Sequence, residues 1–335
     1  MNWSKGYSAA YHMTRLDPAT WRDVERYEIT GGSVKRTQTG LRESAAVDCG
    51  IYPNGVENWI RIYLDANQNG ATEHVALFTG LATSPGEEFD GRMRSGKLDC
   101  YSVLKPAEDV KLLHGWYAAA GRSGGDVIKE LLRPTPAPVI ISDGAPALSY
   151  HIIAEDQETN LSMVEKILTA INWRIRITGD GTISVEPPAQ DPAASFDPIE
   201  NDVIETKISV KADWFNCPNV YAVTQGDLTA IARDDDPESP LSTVTRGREV
   251  WQTEKGGTLA ENEGIAEYAR RRLREAQQVF ISASYDRRYF DGVIPGDLVY
   301  LHYPEQNLDG VYTVKTQSIA LTYAATTSEE TEASA

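Results

Sequence analysis

The chain has 335 residues, of which 41% are hydrophobic and 24% are charged. This length and composition allow two or three domains that each bury a core. The net charge of −17 argues against a protein that grips nucleic acid, because such binding depends on cations that neutralise phosphates. No apolar run reaches the length of a membrane span and the N-terminus has no signal-peptide core, so the sequence predicts a cytosolic product without membrane contact.

The residue types that carry most catalytic chemistry are scattered. Cys49, Cys100 and Cys217 have no CxxC spacing, which predicts reduced, mostly buried thiols. The histidines have no metal-ligand spacing, and no nucleophile or paired-carboxylate motif stands out among the many acidic residues. The sequence therefore predicts no catalytic residue, no cofactor and no metal site.

The first zone, residues 1–105, has the alternation of half-buried strands. Ile60, Ile62 and Leu64 fall on one face of a strand, whereas Trp59, Arg61 and Tyr63 fall on the other. This zone predicts an antiparallel barrel or sandwich.

The second zone, residues 106–188, shows helical periodicity. A helix follows Gly124 and Gly125, and another begins at Thr159 or Asn160, where a side-chain oxygen can cap the free amides. Residues 173–186 predict a hairpin around a Gly-Asp-Gly turn. The zone is expected to form a small α+β domain.

In the third zone, residues 189–325, strands resume after a Pro-rich stretch at 187–194 that has the composition of a linker. Residues 258–277 predict a helix with Thr258 as a possible cap and Glu261 at capping-box spacing. Residues 326–335, TTSEETEASA, are polar and acidic and predict a disordered tail.

The most informative stretch, residues 284–323, predicts strand, turn, strand, loop and strand. Pro295, Gly296 and Asp297 form a tight-turn signal between apolar runs, and they are predicted as a structural turn.

These segments, taken in order, resemble the baseplate hub proteins of tailed phages. The resemblance is to the short hub type of phages and phage-like particles of Gram-positive hosts, which lacks an added lytic or fibre domain. It is carried by residues 21–49, 59–85, 100–110, 158–187, 213–223 and 284–323.

The resemblance implies an α+β, mainly β fold, in which two tail-tube-like antiparallel β-barrel domains flank the small α+β domain. It also implies a structural, non-enzymatic virion protein in the tail baseplate, made in the host cytoplasm. Its implied partners are two further copies in a homotrimeric ring, the tail tube protein, other distal tail or baseplate proteins, and the spike or tip protein. DNA would pass through the ring without being bound, and acidic candidates for the lumen wall are Asp202, Asp213 and Asp227.

Two other functions stay open on the residues alone. One is a tail-tip hydrolase of the host cell wall, and the other is a carbohydrate-binding β-protein that uses exposed aromatics such as Trp59, Trp116 and Trp251. Two local motifs have ordinary explanations beside functional ones. The stretch from Asp65 to Gly70 fits the start of a calcium loop but also an Asn-Gly hairpin turn. Residues 121–125 fit an anion site but also a plain helix entry.

Overall fold

The computed structural model describes residues 1–51, 57–83, 86–91, 93–199, 203–212, 214–225, 228–256, 264–278 and 281–333. It is 49% strand and 15% helix, so the predicted mainly β class is confirmed. The chain forms two compact units: unit 1 is Met1–Lys207 with Tyr285–Glu330, and unit 2 is Ile208–Ser284 with Thr331–Ala335.

Eight strands form the N-terminal part of unit 1. Ile60, Ile62 and Leu64 on the fifth strand are fully buried, as their alternation predicts. The fifth and sixth strands meet at Asn69 and Gly70, which both have the positive φ of a two-residue hairpin turn. The strands are β1 (Ser8–Asp17), β2 (Arg22–Glu28), β3 (Gly31–Thr37), β4 (Glu43–Cys49), β5 (Asn58–Gln68), β6 (Ala71–Ala82), β7 (Gly86–Asp90) and β8 (Met93–Ser102).

The middle of unit 1 contains the two predicted helices and the predicted hairpin. Thr159 caps the second long helix through a side-chain oxygen that accepts from the Ser162 amide at 3.0 Å. The elements are α1 (Lys105–Asp109), β9 (Tyr117–Ala118), α2 (Gly124–Leu131), β10 (Val139–Ile141), β11 (Ile152–Ile153), α3 (Asn160–Ile171), β12 (Arg174–Ile177) and β13 (Ile183–Glu186). Their apolar faces form a core of their own, separate from the core under β1 to β8.

The remaining elements complete both units. They are β14 (Pro192–Phe196), β15 (Ile204–Ala212), β16 (Val220–Gln225), β17 (Leu228–Arg233), α4 (Thr243–Arg246), β18 (Trp251–Lys255), α5 (Ile265–Gln278), β19 (Ile281–Arg288), β20 (Leu298–Tyr303), a 3₁₀ turn at Pro304–Gln306, β21 (Leu308–Ala320) and β22 (Thr326–Ala333). The boundary between the units falls within β15, β19 and β22.

One sheet runs through both of the predicted β-zones of unit 1. Its strand order is β15-β19-β22-β21-β3-β4-β8-β6-β5-β1-β2, and the C-terminal strand β21 pairs antiparallel with the N-terminal strand β3. β20 pairs with β21 and, in parallel, with β14, whereas β7 pairs with β8.

Two separate barrel domains are therefore not confirmed. The strands predicted for the first and second barrels share a sheet, and the described residues contain no closed barrel. The reason is that alternation identifies a strand and its buried face, but the partner of each strand is fixed only in three dimensions.

Two segments that were expected to lack regular structure form strands. The prediction of a disordered tail at 326–335 is wrong, because Thr326–Ala333 form β22 with Thr327, Glu329 and Thr331 buried. The Pro-rich stretch at 187–194 runs into β14, which begins at Pro192, a position where a strand needs no amide donor. Low hydrophobicity misled the prediction because neighbouring strands supply the apolar surroundings.

Unit 2 contains a three-stranded sheet with the order β17-β16-β18 and one long helix. Tyr221 and Val223 on β16 pack with Tyr268, Ala269 and Leu273 on α5, so the helix covers one face of this sheet. The helix predicted at 258–277 is found as Ile265–Gln278, and its predicted cap at Thr258 lies outside the described residues. Cys49, Cys100 and Cys217 are all buried, and none of them is in a disulfide.

Candidate site: a clamped turn, buried ion pairs and an aromatic loop

The predicted Pro295-Gly296-Asp297 segment forms a β-turn immediately before β20. The Asp297 amide donates to the Ile294 carbonyl at 3.0 Å, and Gly296 has a φ of +91°. A side chain is strained at that φ, so glycine suits this position of the turn. The Gly296 amide donates to the Val314 carbonyl at 2.8 Å, which fastens the turn to β21.

Two arginines on β12 hold this turn, and we call them the arginine clamp. The Asp297 carboxylate is almost fully buried, with Arg174 Nη2 at 2.9 Å from Oδ1 and Arg176 Nη2 at 3.4 Å from Oδ2. Arg174 Nη1 also donates to the Gly296 carbonyl. The Ile294 amide donates to Asp297 Oδ2 at 3.1 Å. The turn is therefore tied to the α+β part of unit 1 by charge-assisted hydrogen bonds.

A fully buried ion pair joins β19 to β22. Arg287 Nε donates to Glu329 Oε2 at 2.8 Å and Nη2 donates to Oε1 at 2.5 Å, while both side chains have no exposed surface. Gln317 Nε2 donates to the same carboxylate at 2.7 Å. Burial alone lowers the pKa of Arg287, but the Glu329 charge raises it above its ordinary value. The Glu329 carboxylate therefore helps to hold the Arg287 guanidinium charged in the core.

A second buried pair, Arg36 with Glu43, is much less well matched. Arg36 Nε lies 3.2 Å from Glu43 Oε1, yet neither carboxylate oxygen accepts a well-directed hydrogen bond from a described residue. Arg36 instead donates to Gln317 Oε1 at 2.9 Å and to the Leu77 carbonyl. Burial raises the pKa of Glu43 to about 7, against the opposing effect of the Arg36 charge. Glu43 consequently titrates near neutral pH.

Unit 2 displays two neighbouring aromatic side chains on the loop between β15 and β16. Trp214 is 49% exposed and Phe215 is 72% exposed, and we call residues 214–219 the aromatic loop. Arg246 Nη1 donates to the Cys217 carbonyl at 2.6 Å and Nη2 to the Phe215 carbonyl at 2.7 Å. The Arg248 guanidinium lies 4.0 Å from the centre of the Phe215 ring. The loop thus has a fixed conformation with its aromatic rings turned to solvent.

The three tryptophans considered for carbohydrate binding differ in exposure. Trp59 and Trp116 are partly buried and pack against the α+β core, so their rings are used in the fold. Trp251 is exposed, and its indole nitrogen donates to Glu249 at 2.8 Å. The first two therefore offer little ring surface to a sugar.

The lumen candidates Asp202, Asp213 and Asp227 all lie outside the described residues.

Among the residues that are described, no group of three His, Cys, Asp or Glu side chains could hold a metal ion. Asp65, the first residue of the calcium-like stretch, is engaged by His12 at 2.8 Å and by Arg26 at 3.4 Å. Within the described part of the chain no helix is long and apolar enough to cross a membrane.

The helix entry at 121–125 has a packing explanation. A side chain at Gly124 would meet Ile171 at 2.9 Å, and one at Gly125 would meet Ile141 at 2.5 Å. The two glycines thus let α2 approach its neighbours closely, and no anion is needed to explain them.

Sequence reasoning missed the arginine clamp, both buried ion pairs and the aromatic loop. The alternation of arginine and isoleucine in β12 marks a strand but gives no partner for Arg174 or Arg176. In β22 buried and exposed positions alternate, but its sequence TTSEETEA is polar on both faces and gives no apolar alternation that could have drawn attention to Glu329.

Solved structures with the same architecture come from phage tails. A tail protein from Neisseria meningitidis MC58 matches with a TM-score of 0.70 at 17% identity, over 98% of this chain and 97% of that one. The chain has the fold of a phage tail protein. A prophage MuSo2 tail protein from Shewanella oneidensis matches with a TM-score of 0.67 at 12% identity, covering 97% of both chains.

A prophage tail protein from Listeria monocytogenes EGD-e shares this tail-protein fold with a TM-score of 0.55 at 11% identity, over 96% of this chain and 94% of that one. No protein family and no curated protein matches the sequence. The fold is therefore shared along the whole chain although little of the sequence is.

Proposed function

We propose that this chain is a structural protein of a phage or phage-like tail, and that it acts as the baseplate hub. Three copies form a ring that joins the sixfold tail tube to the threefold spike or tip and lets DNA pass. The observation that carries the proposal is the agreement in fold with a tail protein over 98% of this chain and 97% of the other. The match is not confined to one subdomain, because it extends over nearly all of both chains.

The internal cross-links of unit 1 suit a protein that bears load. The Arg287–Glu329 pair and the arginine clamp connect elements far apart in sequence. Charge-assisted bonds of this kind fix geometry where a ring transmits force between tube and spike. The resemblance implies two barrel domains in each of three copies, and thus six barrel-like units in the ring. These units do not support the proposal, because no closed barrel occurs among the described residues.

The acidic balance of the chain suits passage of DNA without binding. A net charge of −17 gives the wall of the channel few cations with which to retain phosphates. Asp202, Asp213 and Asp227 remain candidates for that wall.

The location and copy number of the chain in isolated tails test the proposal. Antibody-gold labelling is expected at the distal end of the tail, and quantitative mass spectrometry of intact tails is expected to give three copies for each six copies of the terminal tube ring. Tails from a strain that lacks the gene serve as the labelling control. Labels along the whole tube, or six or twelve copies at the end, contradict a hub.

The rival hydrolase function has a separate test. Purified protein is expected to release neither reducing sugar nor peptide from peptidoglycan, with lysozyme as the positive control. Release that is abolished by substituting one Asp or Glu would favour the enzyme.

A further inference from the structure

The aromatic loop is built in a way that its own unit does not explain. Large apolar side chains are normally buried, yet Trp214 and Phe215 follow one another and present 49% and 72% of their surface. Neither contributes to the core between α5 and the three-stranded sheet. A pair of exposed aromatics in one place indicates a contact surface.

Hydrogen bonds hold both ends of the loop to the rest of unit 2. At its far end Asn219 is fully buried, its Nδ2 donates to the Leu241 carbonyl at 3.0 Å, and its Oδ1 accepts from the Val250 amide at 2.7 Å. At its near end Arg246 holds the carbonyls of Phe215 and Cys217. A surface ordered in this way loses little conformational entropy on binding.

A guanidinium lies against one of these rings, and two more are exposed on the helix whose last turn touches the loop. Arg248 stacks on Phe215, and Arg270 and Arg274 are exposed on α5. In the part of the chain that the structure describes, none of the three arginines forms an ion pair, whereas Arg271 and Arg272 both pair with Glu275. The last turn of α5 reaches the loop, because Gln277 Nε2 donates to the Pro218 carbonyl at 3.2 Å.

We propose that Trp214, Phe215 and Arg248 form a docking knob that inserts into an acidic surface of a second copy of this chain. Aromatic and arginine side chains are the residue types that carry most binding energy at protein interfaces. The chain as a whole has 49 acidic against 32 basic residues, so a second copy offers the complementary charge.

The knob of one copy meets a surface of the next copy other than that copy's own knob. Two knobs that faced each other across a twofold axis would bring Arg248 against Arg248, and like charges repel. A knob that meets a different surface of the next copy generates a closed ring when the rotation closes. The inference rests on the proposed ring and adds the surface through which its neighbours meet.

Photo-crosslinking in assembled tails tests the knob directly. Phe215 is replaced by p-benzoylphenylalanine, and tails are assembled from an equal mixture of ¹⁵N-labelled and unlabelled chains. The matched control carries the same cross-linker at Leu228, which is 67% exposed in the same unit. We expect irradiation to give a product of twice the chain mass with peptide pairs of mixed label from position 215, at about tenfold or greater yield than from position 228.

Each other result overturns the knob. Cross-links from position 215 to a different tail protein, or yields equal to those from position 228, exclude a second copy as its occupant. If either of these results is found and the tail contains three copies, the knob proposal is wrong but the hub proposal stands. If the tail contains one copy, both the hub proposal and the knob proposal are wrong.

A truncation provides independent support. The double variant Trp214→Ala with Phe215→Ala is expected to lower the yield of assembled rings about 30-fold or more, which is the effect of losing a major interface residue. Circular dichroism verifies that the variant is folded, and Phe215→Ser alone replaces it if it is not. A yield within twofold of the wild type contradicts the knob.

Discussion

Selected arginines of the two units have opposite roles. In unit 1, Arg287 is buried and Arg174 is partly buried, and each joins strands or turns that are distant in sequence. In unit 2, Arg248 and Arg270 are exposed, and neither forms an ion pair with any described residue. The same side chain therefore stabilises the fold in one unit and is available to a partner in the other, and substitutions separate the two uses.

The largest effect is expected at the buried pair of unit 1. Glu329→Gln leaves the Arg287 guanidinium buried without its counter-charge, which costs about 3–5 kcal/mol of unfolding free energy. Urea unfolding followed by circular dichroism measures the loss. The neighbouring exposed Glu330→Gln is the control and should change stability by less than about 0.5 kcal/mol. Equal stability of the two variants would show that the pair does not support the sheet.

Glu43 predicts a dependence of stability on pH. Its folded pKa of about 7 lies above the ordinary value of 4.5, so the folded chain binds this proton more tightly than the unfolded chain. The resulting stabilisation is complete below pH 4.5 and is lost as pH rises through about 7, a change of about 3 kcal/mol.

Glu43→Gln should remove that dependence. Unfolding free energies of wild type and variant are compared at several values between pH 5 and pH 8, and the slope of their difference carries the result. The variant also loses the contact between Glu43 and Arg36, so we expect a difference in unfolding free energy that is the same at every pH. That constant difference does not report on the titration of Glu43. Parallel curves over the whole range would contradict a neutral-pH titration of Glu43.

The arginine clamp should have a smaller effect. Asp297→Asn removes the negative charge that Arg174 and Arg176 share but retains an oxygen for the Ile294 amide, so a loss of about 1–3 kcal/mol is expected. Asp309→Asn, which weakens exposed contacts with His302 and Tyr300, is the control and should cost clearly less than Asp297→Asn. A loss at Asp297 no larger than at Asp309 would mean that the clamp is not needed to hold the turn.

The smallest effect on stability is expected on the outer face of α5. Arg270→Gln with Arg274→Gln should change the unfolding free energy by less than about 0.5 kcal/mol, since neither side chain has an ion-pair partner among the described residues. Arg272→Gln on the same helix should cost more, because Arg272 Nε lies 2.9 Å from Glu254. If thermal or urea unfolding showed a larger loss for the Arg270 and Arg274 double variant than for Arg272→Gln, the contrast between paired and unpaired arginines would be wrong.

Local patterns in the sequence predict the elements of this fold better than their partners. The alternation around Ile62 and the cap at Thr159 predict strand and helix because both depend on near neighbours. One of the two partners of β3 is β21, almost the whole chain away, and Arg287 bonds Glu329 across 42 residues. Such pairings depend on the assembled sheet and leave no local trace.

The exposure of the aromatic loop, like the pairing of distant strands, could not be predicted from the local sequence. Trp214 and Phe215 have the composition of core residues, and only the folded chain reveals that they are exposed. Exposure is a property of the packed structure, so the candidate docking knob could not be predicted from residue type. The turn at Pro295 and Gly296, by contrast, depends on backbone preferences of its own residues and could be predicted.

The count of this chain in the intact tail tests the central proposal most directly. Cryo-electron microscopy of assembled tails, reconstructed without imposed symmetry at the distal end, gives both position and copy number. We predict one ring of three copies on the tail axis between the last tube ring and the spike. A ring of six or twelve copies, or density for this chain away from the axis, would contradict the proposed hub.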